Sequence, residues 1–141
     1  VEFVRFFGAQ LFIEQKDYLC RICPDCIVPV PLHLSKRRKR GFNQSELVAK
    51  KLGKLLNIPV NTKYLMRIEK TMPQKELTRL QRKQNLKKAF TILNKEKHYE
   101  RVLVVDDIYT TGATVDAISE ILRENQTKII FFLTICVGRN E

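Results

Sequence analysis

The sequence contains no apolar run close to the roughly 20 residues that a membrane-spanning helix needs. Its first residues, VEFVRFFGAQLF, also lack the basic-then-apolar layout of a signal peptide. No membrane insertion is therefore predicted, and we expect a soluble, cytoplasmic protein. Because the chain begins at Val1 and not at a methionine, we expect that an N-terminal piece is missing.

Acidic residues are in the minority. The sequence contains 15 Asp and Glu residues and 26 Lys and Arg residues, which gives a net charge of +11 at pH 7. Such an excess favours anionic partners, namely phosphorylated small molecules, nucleic acid or acidic lipid. The charge by itself does not choose among these three.

Only four cysteines are present, and Cys20, Cys23 and Cys26 form the stretch CRICPDC, with two overlapping C-x-x-C steps. A closed zinc site needs four ligands, and the remaining candidates, Cys136 and the two histidines, lie far along the chain. Cys26 and Cys136 stand at the ends of apolar runs, which favours small buried side chains at strand ends over metal ligands. We therefore assign no metal site, and we expect no disulfides in a reducing compartment.

Repeats, low-complexity tracts and linkers are also absent from the sequence. With 44% hydrophobic residues, a chain of 141 residues matches a single domain over 1–141. Apolar periodicity predicts helices over 2–19, 43–57 and 114–125 and strands over 26–32, 60–68, 101–105 and 128–137. The polar stretch 69–85 has too little apolar content for a core, and it is predicted to be either a mobile loop or an exposed helix.

Two of the predicted strands, RVLVV and KIIFFLTICV, are continuously apolar, which is typical of strands buried on both faces of a parallel sheet. The helix between them completes a strand–helix–strand crossover unit. In the strand CIVPVPL, Pro29 and Pro31 each lack a ladder donor, so its pairing is limited to one side or ends early. These elements predict an α/β fold with a mainly parallel sheet flanked by helices.

The stretch VLVVDDIYTTGATV places two adjacent acids, Asp106 and Asp107, directly after a buried strand. Ligands of such sheets bind beyond the carboxyl ends of the strands, so both carboxylates are expected to stay solvated or to meet a ligand. In the following TTGAT, residues 110–114, backbone N–H groups and hydroxyls can surround a phosphate at a helix N-terminus. Gly112 would let the backbone approach that anion closely. The pattern favours a ligand that carries both sugar hydroxyls and a phosphate.

From Val102 to Thr114 the sequence closely resembles, without a gap, the 13-residue phosphoribosyl pyrophosphate (PRPP) motif of type I phosphoribosyltransferases. The resemblance implies that Asp106 and Asp107 contact the ribose 2′ and 3′ hydroxyls and act in catalysis. It also implies a 5′-phosphate loop made of Tyr109, Thr110, Thr111, Gly112, Ala113 and Thr114. The alternative from the residues alone is a strand followed by a helix N-cap, in which the polar side chains bind no ligand.

A second segment, VPVPLHLSKRRKRGFNQSELVAKKL over 28–52, resembles the ComF group of this family, which is associated with late competence. The shared features are a strand that ends in P-V-P, a basic loop, and G-[FY]-x-Q. By this resemblance the basic loop is the pyrophosphate loop, and the cations near the diphosphate are Lys36, Arg37, Arg38 and Arg40. A solvated basic loop is the alternative.

A third segment, RIEKTMPQKELTRLQRKQNLKKAF over 67–90, is similar to the ComF pattern R-x-x-x-T-x-x-Q-x-x-L-x-x-x-x-R-x-x-N-x-x-x-A-F. The resemblance implies a flexible loop that closes over the substrate, with Arg67, Thr71, Gln74 and Arg82 among its residues. An exposed basic helix is the alternative that the local spacing leaves open.

Two features depart from the ComF pattern. ComF-type proteins usually carry an N-terminal zinc module of four cysteines, which Cys20 and Cys23 do not match, so the resemblance adds no metal site. The chain also stops at Glu141, soon after the last predicted strand. Little sequence is therefore expected for a hood over the acceptor.

For the reaction, the resemblance implies that a nucleophile displaces pyrophosphate from the anomeric carbon of PRPP, with Mg²⁺ bound mainly through substrate oxygens. It names no acceptor residue, and the oligomeric state is not predicted. A function of a different class is a non-catalytic adaptor whose basic runs 36–40 and 82–88 bind single-stranded DNA or competence proteins. Against direct strand binding, those runs contain no aromatic residue on which bases stack. A third possibility is a regulator that senses PRPP without turnover.

Overall fold

A three-stranded parallel sheet forms the centre of the computed structural model, which describes residues 14–32, 38–39, 41–68, 78, 81, 84 and 86–137. The strands are β1 (Cys26–Pro29), β2 (Leu65–Arg67), β3 (Phe90–Ile92), β4 (Arg101–Tyr109) and β5 (Ile129–Val137), and the helices are α1 (Gln44–Leu56) and α2 (Ala113–Glu124). The sheet has the order β1–β4–β5, and β2 and β3 form a separate antiparallel pair. The predicted α/β class with a parallel sheet is confirmed.

Strand β4 lies in the middle of the sheet and pairs in parallel with both neighbours. Cys26 of β1 lies opposite Val102, and Ile129 of β5 lies opposite Arg101. Residues 102–105 are at most 1% exposed, as expected for a strand covered on both faces. Because β1 and β5 both run parallel to β4, all three carboxyl ends lie at one edge of the sheet.

The side chains of β4 alternate between two hydrophobic cores, since successive residues of a strand point to opposite faces. Val102 and Val104 pack in the core that contains Ile118 and Leu122 of α2. Leu103 and Val105 pack in the opposite core. That second core also holds α1 and a helical stretch over residues 14–22. The cores hold β4 rigidly from both sides and so determine where its carboxyl end emerges.

Helix α1 begins and ends where the sequence predicts. The Asn43 side chain accepts a hydrogen bond from the N–H of Ser45 at 3.1 Å, and its amide donates to the carbonyl of Val30 at 2.9 Å. Asn57, at φ +55°, closes the helix with an N–H donated to the carbonyl of Gly53. Asn43 therefore ties the start of α1 to the chain just beyond β1, at the carboxyl edge of the sheet.

Several strand boundaries differ from the sequence prediction. Strand β1 stops at Pro29 instead of residue 32, which confirms that the prolines end its pairing early. Of the strand predicted over 60–68, only Leu65–Arg67 form β2. Val60 makes an isolated bridge to Ile27, and a turn lies between the two. Strand β3 has no counterpart in the prediction, because its three residues show no usable periodicity.

The prediction that strand β5 is doubly buried is wrong. It is an edge strand among the described residues, so most of its side chains are half-buried. Cys136 in β5 is exposed, against the prediction, whereas Cys26 in β1 is fully buried as predicted. The continuous apolar run shows that both faces pack on neighbours, but it does not report whether the strand has a partner on each side.

The predicted helix over 2–19 is only partly described. Residues 14–22 are helical, so this helix continues past its predicted end, and residues 1–13 lie outside the described residues. Within the described part of the chain, no helix combines the length and the apolar character needed to cross a bilayer.

Candidate functional site

The acid pair lies within β4, and the strand continues past it to Tyr109. The sequence predicts an end of this strand at residue 105, so that boundary is corrected. Asp106 lies opposite Thr134 of β5 and is only 8% exposed, while Asp107 is half-buried. Of the two predicted alternatives, solvation does not hold for Asp106, and contact of the acid pair with a ligand stays a prediction. Ladder pairing carries the strand beyond the acids and leaves the first of them inside the packed part of the sheet.

Burial changes the acid–base behaviour of Asp106. Desolvation, together with the negative charge of Asp107, raises the pKa of Asp106 from 3.8 to about 6. The backbone N–H of Asp107 donates to Oδ1 of Asp106 at 2.8 Å and opposes this rise. The Asp106 carboxyl therefore takes up a proton at a pH only slightly below neutral.

A cation on the separate two-stranded sheet acts electrostatically on Asp106. Arg67 is the last residue of β2, is half-buried, and lowers the pKa of Asp106 by its positive charge. Its guanidinium carbon lies 5.5 Å from the centroid of the Phe90 ring, on the neighbouring strand β3. The resemblance assigns Arg67 to a flexible loop, but it lies in a strand that precedes the loop region.

The TTGAT segment forms the turn between β4 and α2. Gly112 occupies the N-cap position of α2 with φ +77°, a left-handed conformation that favours glycine. No side chain caps this end in the described structure, apart from Thr111 Oγ1, which accepts from the N–H of Ala113 at 3.4 Å. The first-turn N–H groups and the positive end of the helix dipole thus face the region beyond the sheet, where an anion is stabilised.

Tyr109 packs directly over this turn. A Cβ atom at position 112 would lie 2.8 Å from the Tyr109 hydroxyl oxygen and 3.4 Å from its Cζ. The backbone conformation therefore favours glycine at position 112, and a Cβ atom there would also require the Tyr109 side chain to shift. The predicted phosphate loop, residues 109–114, and the acid pair are brought to the same edge of the sheet.

Comparison with known proteins first gives sequence relatives. The chain is 40% identical over 103 residues to competence protein F of Haemophilus influenzae, a match that covers 72% of this chain and 45% of that protein. It is 35% identical over 113 residues to DNA utilization protein YhgH of Escherichia coli K12, covering 80% and 49%. It is 32% identical over 110 residues to competence protein ComFC of Bacillus subtilis, covering 74% and 42%. The chain thus spans just under half the length of the curated relatives it matches, and no family model matches it.

Solved structures give the same fold. A purine phosphoribosyltransferase from Pyrococcus horikoshii superposes with a TM-score of 0.55 at 18% identity, over 95% of this chain and 72% of that chain. An allosteric regulatory enzyme of purine biosynthesis superposes with a TM-score of 0.60 at 18% identity, over 92% and 24%. Over most of its length the chain is a homologue of ComF-type competence proteins, and it has the type I phosphoribosyltransferase fold. At this level of identity the structural likeness concerns the fold alone.

Much of the predicted basic loop of this ComF-type chain lies outside the described residues. Lys36, Arg37 and Arg40 are among those not described, and Arg38 is exposed in a short helical turn. Of the predicted flexible-loop residues besides Arg67, none is described, namely Thr71, Gln74 and Arg82. The role of both segments toward a diphosphate stays a prediction.

The donor set can be tested against the Mg²⁺ that the ComF-type resemblance implies. Within the described residues, no group of three or more His, Cys, Asp or Glu side chains converges in a way that could hold a metal ion. Because Mg²⁺ binds well to phosphate oxygens and retains several waters, a metal carried by the substrate would need no such group, and Mg²⁺ stays a prediction.

The sequence does not reveal the cation–π contact between the Arg67 guanidinium and the Phe90 ring. Phe90 is 4% exposed and lies opposite Arg67 in the β2–β3 ladder. The only signal in the sequence is the A-F pair that ends the third ComF-like segment, which marks the residue without indicating its contact.

Proposed function

We propose that this ComF-type chain binds PRPP, or a related phosphorylated ribose with its Mg²⁺, and serves DNA uptake during competence in the cytoplasm. The observation that carries the proposal is the direct continuity of the acid pair in β4 with the glycine turn at the N-terminus of α2. Carboxylates accept hydrogen bonds from sugar hydroxyls, and a helix N-terminus accepts a phosphate. The names of the competence and DNA utilization relatives support the biological setting.

In a transfer reaction, the carbon–oxygen bond between the anomeric carbon and the diphosphate breaks, and the electron pair leaves with the diphosphate. The incoming nucleophile forms the new bond to the same carbon, and its proton passes to solvent or to a nearby base. The developing positive charge on the ribose lies beside the carboxylates of Asp106 and Asp107, which stabilises it electrostatically. The rest of the rate enhancement comes from alignment of the two reactants.

Calorimetric titration of the full chain with PRPP and Mg²⁺ tests the proposal. We expect saturable binding that falls at least about tenfold in the Asp107→Asn variant, because a charge-assisted hydrogen bond to the ribose is lost. The Glu96→Gln variant, which removes an exposed carboxylate from the turn between β3 and β4, serves as the matched control. Absence of PRPP binding, or equal binding by the Asp107→Asn variant, contradicts the proposal. Pyrophosphate release with a panel of bases and amines then separates an enzyme from a sensor.

A second candidate, an adaptor that binds single-stranded DNA, is favoured by a basic cleft between β3 and α2. The cleft has a volume of about 590 Å³ and includes Lys87, Lys88 and Lys95 in its lining. Lys87 is paired with Glu120 and Glu124 at 2.6 and 2.9 Å, whereas no described carboxylate lies within ion-pair distance of Lys88 or Lys95. Two unneutralised ammonium groups beside an open groove suit phosphate contacts.

Binding of a labelled single strand across a salt series tests the adaptor. We expect the affinity to fall steeply with salt, and the double variant Lys88→Glu with Lys95→Glu to lower both the affinity and the slope. Lys54→Glu with Lys63→Glu changes the net charge by the same amount at exposed positions outside the cleft, and it should have a smaller effect. An affinity that does not respond to salt, or equal losses in the two double variants, rejects this cleft as the DNA site.

A further inference from the structure

The two outer edges of the central sheet differ in how they are protected. Strand β1, at one edge, is only four residues long and ends in Pro29. The segment after α1 also lies along its outer side: the N–H of Ile27 donates to the carbonyl of Pro59 at 2.9 Å, and the N–H of Asn61 donates to the carbonyl of Ile27 at 3.0 Å. A short strand, a proline and a covering segment are common means of preventing an edge strand from pairing with another chain.

Strand β5, at the other edge, has none of these protections among the described residues. It is nine residues long, and Ile129–Val137 contains no charged residue, no proline and no glycine. Its register with β4 runs over the whole strand, and β4 is its only strand partner in the described part of the chain. A long, apolar edge strand of this kind is a template for pairing with a further strand.

Both faces of β5 carry apolar side chains that the protein covers only in part. The even-numbered side chains pack against the core that contains α2, and the odd-numbered ones pack against the opposite core. Those that remain half-buried are Ile130, Phe131, Phe132, Leu133 and Ile135. At the two ends of the strand, Ile129 is 39% exposed and Val137 is 75% exposed. A strand added at this edge would cover apolar surface on both faces of the sheet.

The sequence of β5 is complementary to itself when two copies pair in antiparallel orientation. A twofold axis at Leu133 gives the longest overlap of two identical strands over 129–137. The opposed pairs are then Ile129–Val137, Ile130–Cys136, Phe131–Ile135 and Phe132–Thr134. Pairs of an aromatic with a β-branched side chain are among those that stabilise antiparallel sheets. The same strand therefore supplies favourable partners for each of its own residues.

Charge opposes self-association less along β5 than the composition of the chain suggests. Two copies that each carry a net charge of +11 repel one another in general. Strand β5 itself is uncharged, and Lys128, the residue before it, is paired with Glu100 at 3.1 Å. The strand and the residue that precedes it thus bring no unpaired cation to this edge.

We propose that the free edge of β5 is a homodimer interface, on which β5 of a second copy pairs in antiparallel orientation about a twofold axis at Leu133. The two three-stranded sheets then form one continuous sheet of six strands. Such an interface uses the same surface of both copies, as twofold symmetry requires. Because the paired strands run in opposite directions, the carboxyl edges of the two halves of the sheet point in opposite directions. The interface does not depend on whether the protein binds PRPP.

Sedimentation velocity of the full chain over a concentration series tests the association. We expect reversible association from the monomer mass of 16.6 kDa to twice that mass. The double variant Ile129→Lys with Val137→Lys should weaken the dimer at least about tenfold, because a lysine on an edge strand opposes strand pairing. The control, Leu55→Lys with Leu93→Lys, adds the same charge at exposed apolar positions outside β5 and should leave the association nearly unchanged.

A disulfide test examines the register. Ile129→Cys with Val137→Cys is made in a Cys136→Ser background, which removes the exposed native thiol of β5. Within one chain the two new cysteines lie about 26 Å apart along the strand, too far for a disulfide. Across the proposed dimer they are opposed, with Cα atoms about 4.5–5.5 Å apart. Oxidised glutathione should therefore produce a covalent dimer on a non-reducing gel, whereas each single cysteine variant should stay monomeric.

Support requires both a lysine-sensitive dimer and a disulfide specific to the double cysteine variant. A monomer over the whole concentration series overturns the inference, and so does equal weakening by the two lysine double variants. A double cysteine variant that dimerises without forming the bond also overturns it, as do single variants that cross-link as readily. If the chain is monomeric and amide hydrogen exchange shows β5 as protected as β4, another segment of the chain covers this edge and the inference fails. Circular dichroism checks that every variant is folded.

Discussion

The Asp106→Asn variant is expected to be more stable than the unaltered protein at pH 7.5 and to bind PRPP at least about tenfold more weakly. The folded-state pKa of Asp106, about 6, lies above its ordinary value of 3.8. The folded protein therefore binds more protons than the unfolded chain between these values, and its stability falls as the pH rises through that window. The raised pKa of Asp106 lowers the free energy of unfolding by about 3 kcal/mol at pH 7.5, and this loss vanishes below about pH 4.

Urea unfolding at pH 4 and at pH 7.5 measures this effect. The asparagine variant should gain free energy of unfolding at pH 7.5, since an amide keeps the hydrogen bond from the N–H of Asp107 without burying a charge. At pH 4 the variant and the unaltered protein should differ little. The Asp107→Asn variant should gain less, because Asp107 is half-buried and acts on Asp106 through its charge. A loss of stability at pH 7.5 in Asp106→Asn would contradict the assignment of a raised pKa to this carboxyl group.

A gain in stability that accompanies a loss of binding would itself be informative. Residues retained for ligand binding often lower stability, because the folded protein must hold them in an unfavourable environment. Asp106 is such a residue, because its carboxylate is almost fully buried and lies next to the negatively charged Asp107. A purely structural aspartate at that position would lose stability when replaced.

The Gly112→Ala variant is expected to lose PRPP binding by about a hundredfold or more and to unfold more readily than the unaltered protein. The methyl carbon of an alanine at this position would lie 2.8 Å from the Tyr109 hydroxyl oxygen. The alanine backbone would also have to adopt φ +77°. The backbone conformation alone costs about 1–2 kcal/mol for a residue other than glycine. Relief of the contact would move either Tyr109 or the turn, so the first N–H groups of α2 would no longer point at one phosphate position.

A matched control exists at Gly41, which has φ +75° but no atom of the described residues within 4 Å of the position that an alanine methyl carbon would take. Gly41→Ala carries the backbone cost alone, so the difference in unfolding free energy between the two alanine variants measures the contact with Tyr109. Adding Tyr109→Phe to Gly112→Ala removes the hydroxyl and should restore part of the stability. Normal PRPP binding by the Gly112→Ala variant would show that this turn does not hold the phosphate.

Local sequence patterns predict the elements that build the site. The run of branched residues in β4, the apolar spacing of α2 and the apolar stripe of α1 all correspond to elements near the predicted positions. These signals are local, because periodicity and capping depend on residues within a few positions of each other. The same locality explains why the three-residue strand β3 escapes prediction.

What the sequence determined by itself is the order of acid pair, glycine turn and helix, since these residues are contiguous and their chemistry is contained in one motif. What only the tertiary structure decided is the environment of that motif. Asp106 is buried although the sequence places it after the strand, because β4 continues past it to Tyr109 in register with β5, and its pKa follows from that burial. Arg67 acts on it from 39 positions earlier in the chain, through a separate sheet that packs on the same core. Burial and electrostatic interactions depend on distance in space, and distance in space between remote residues exists only once the chain has folded.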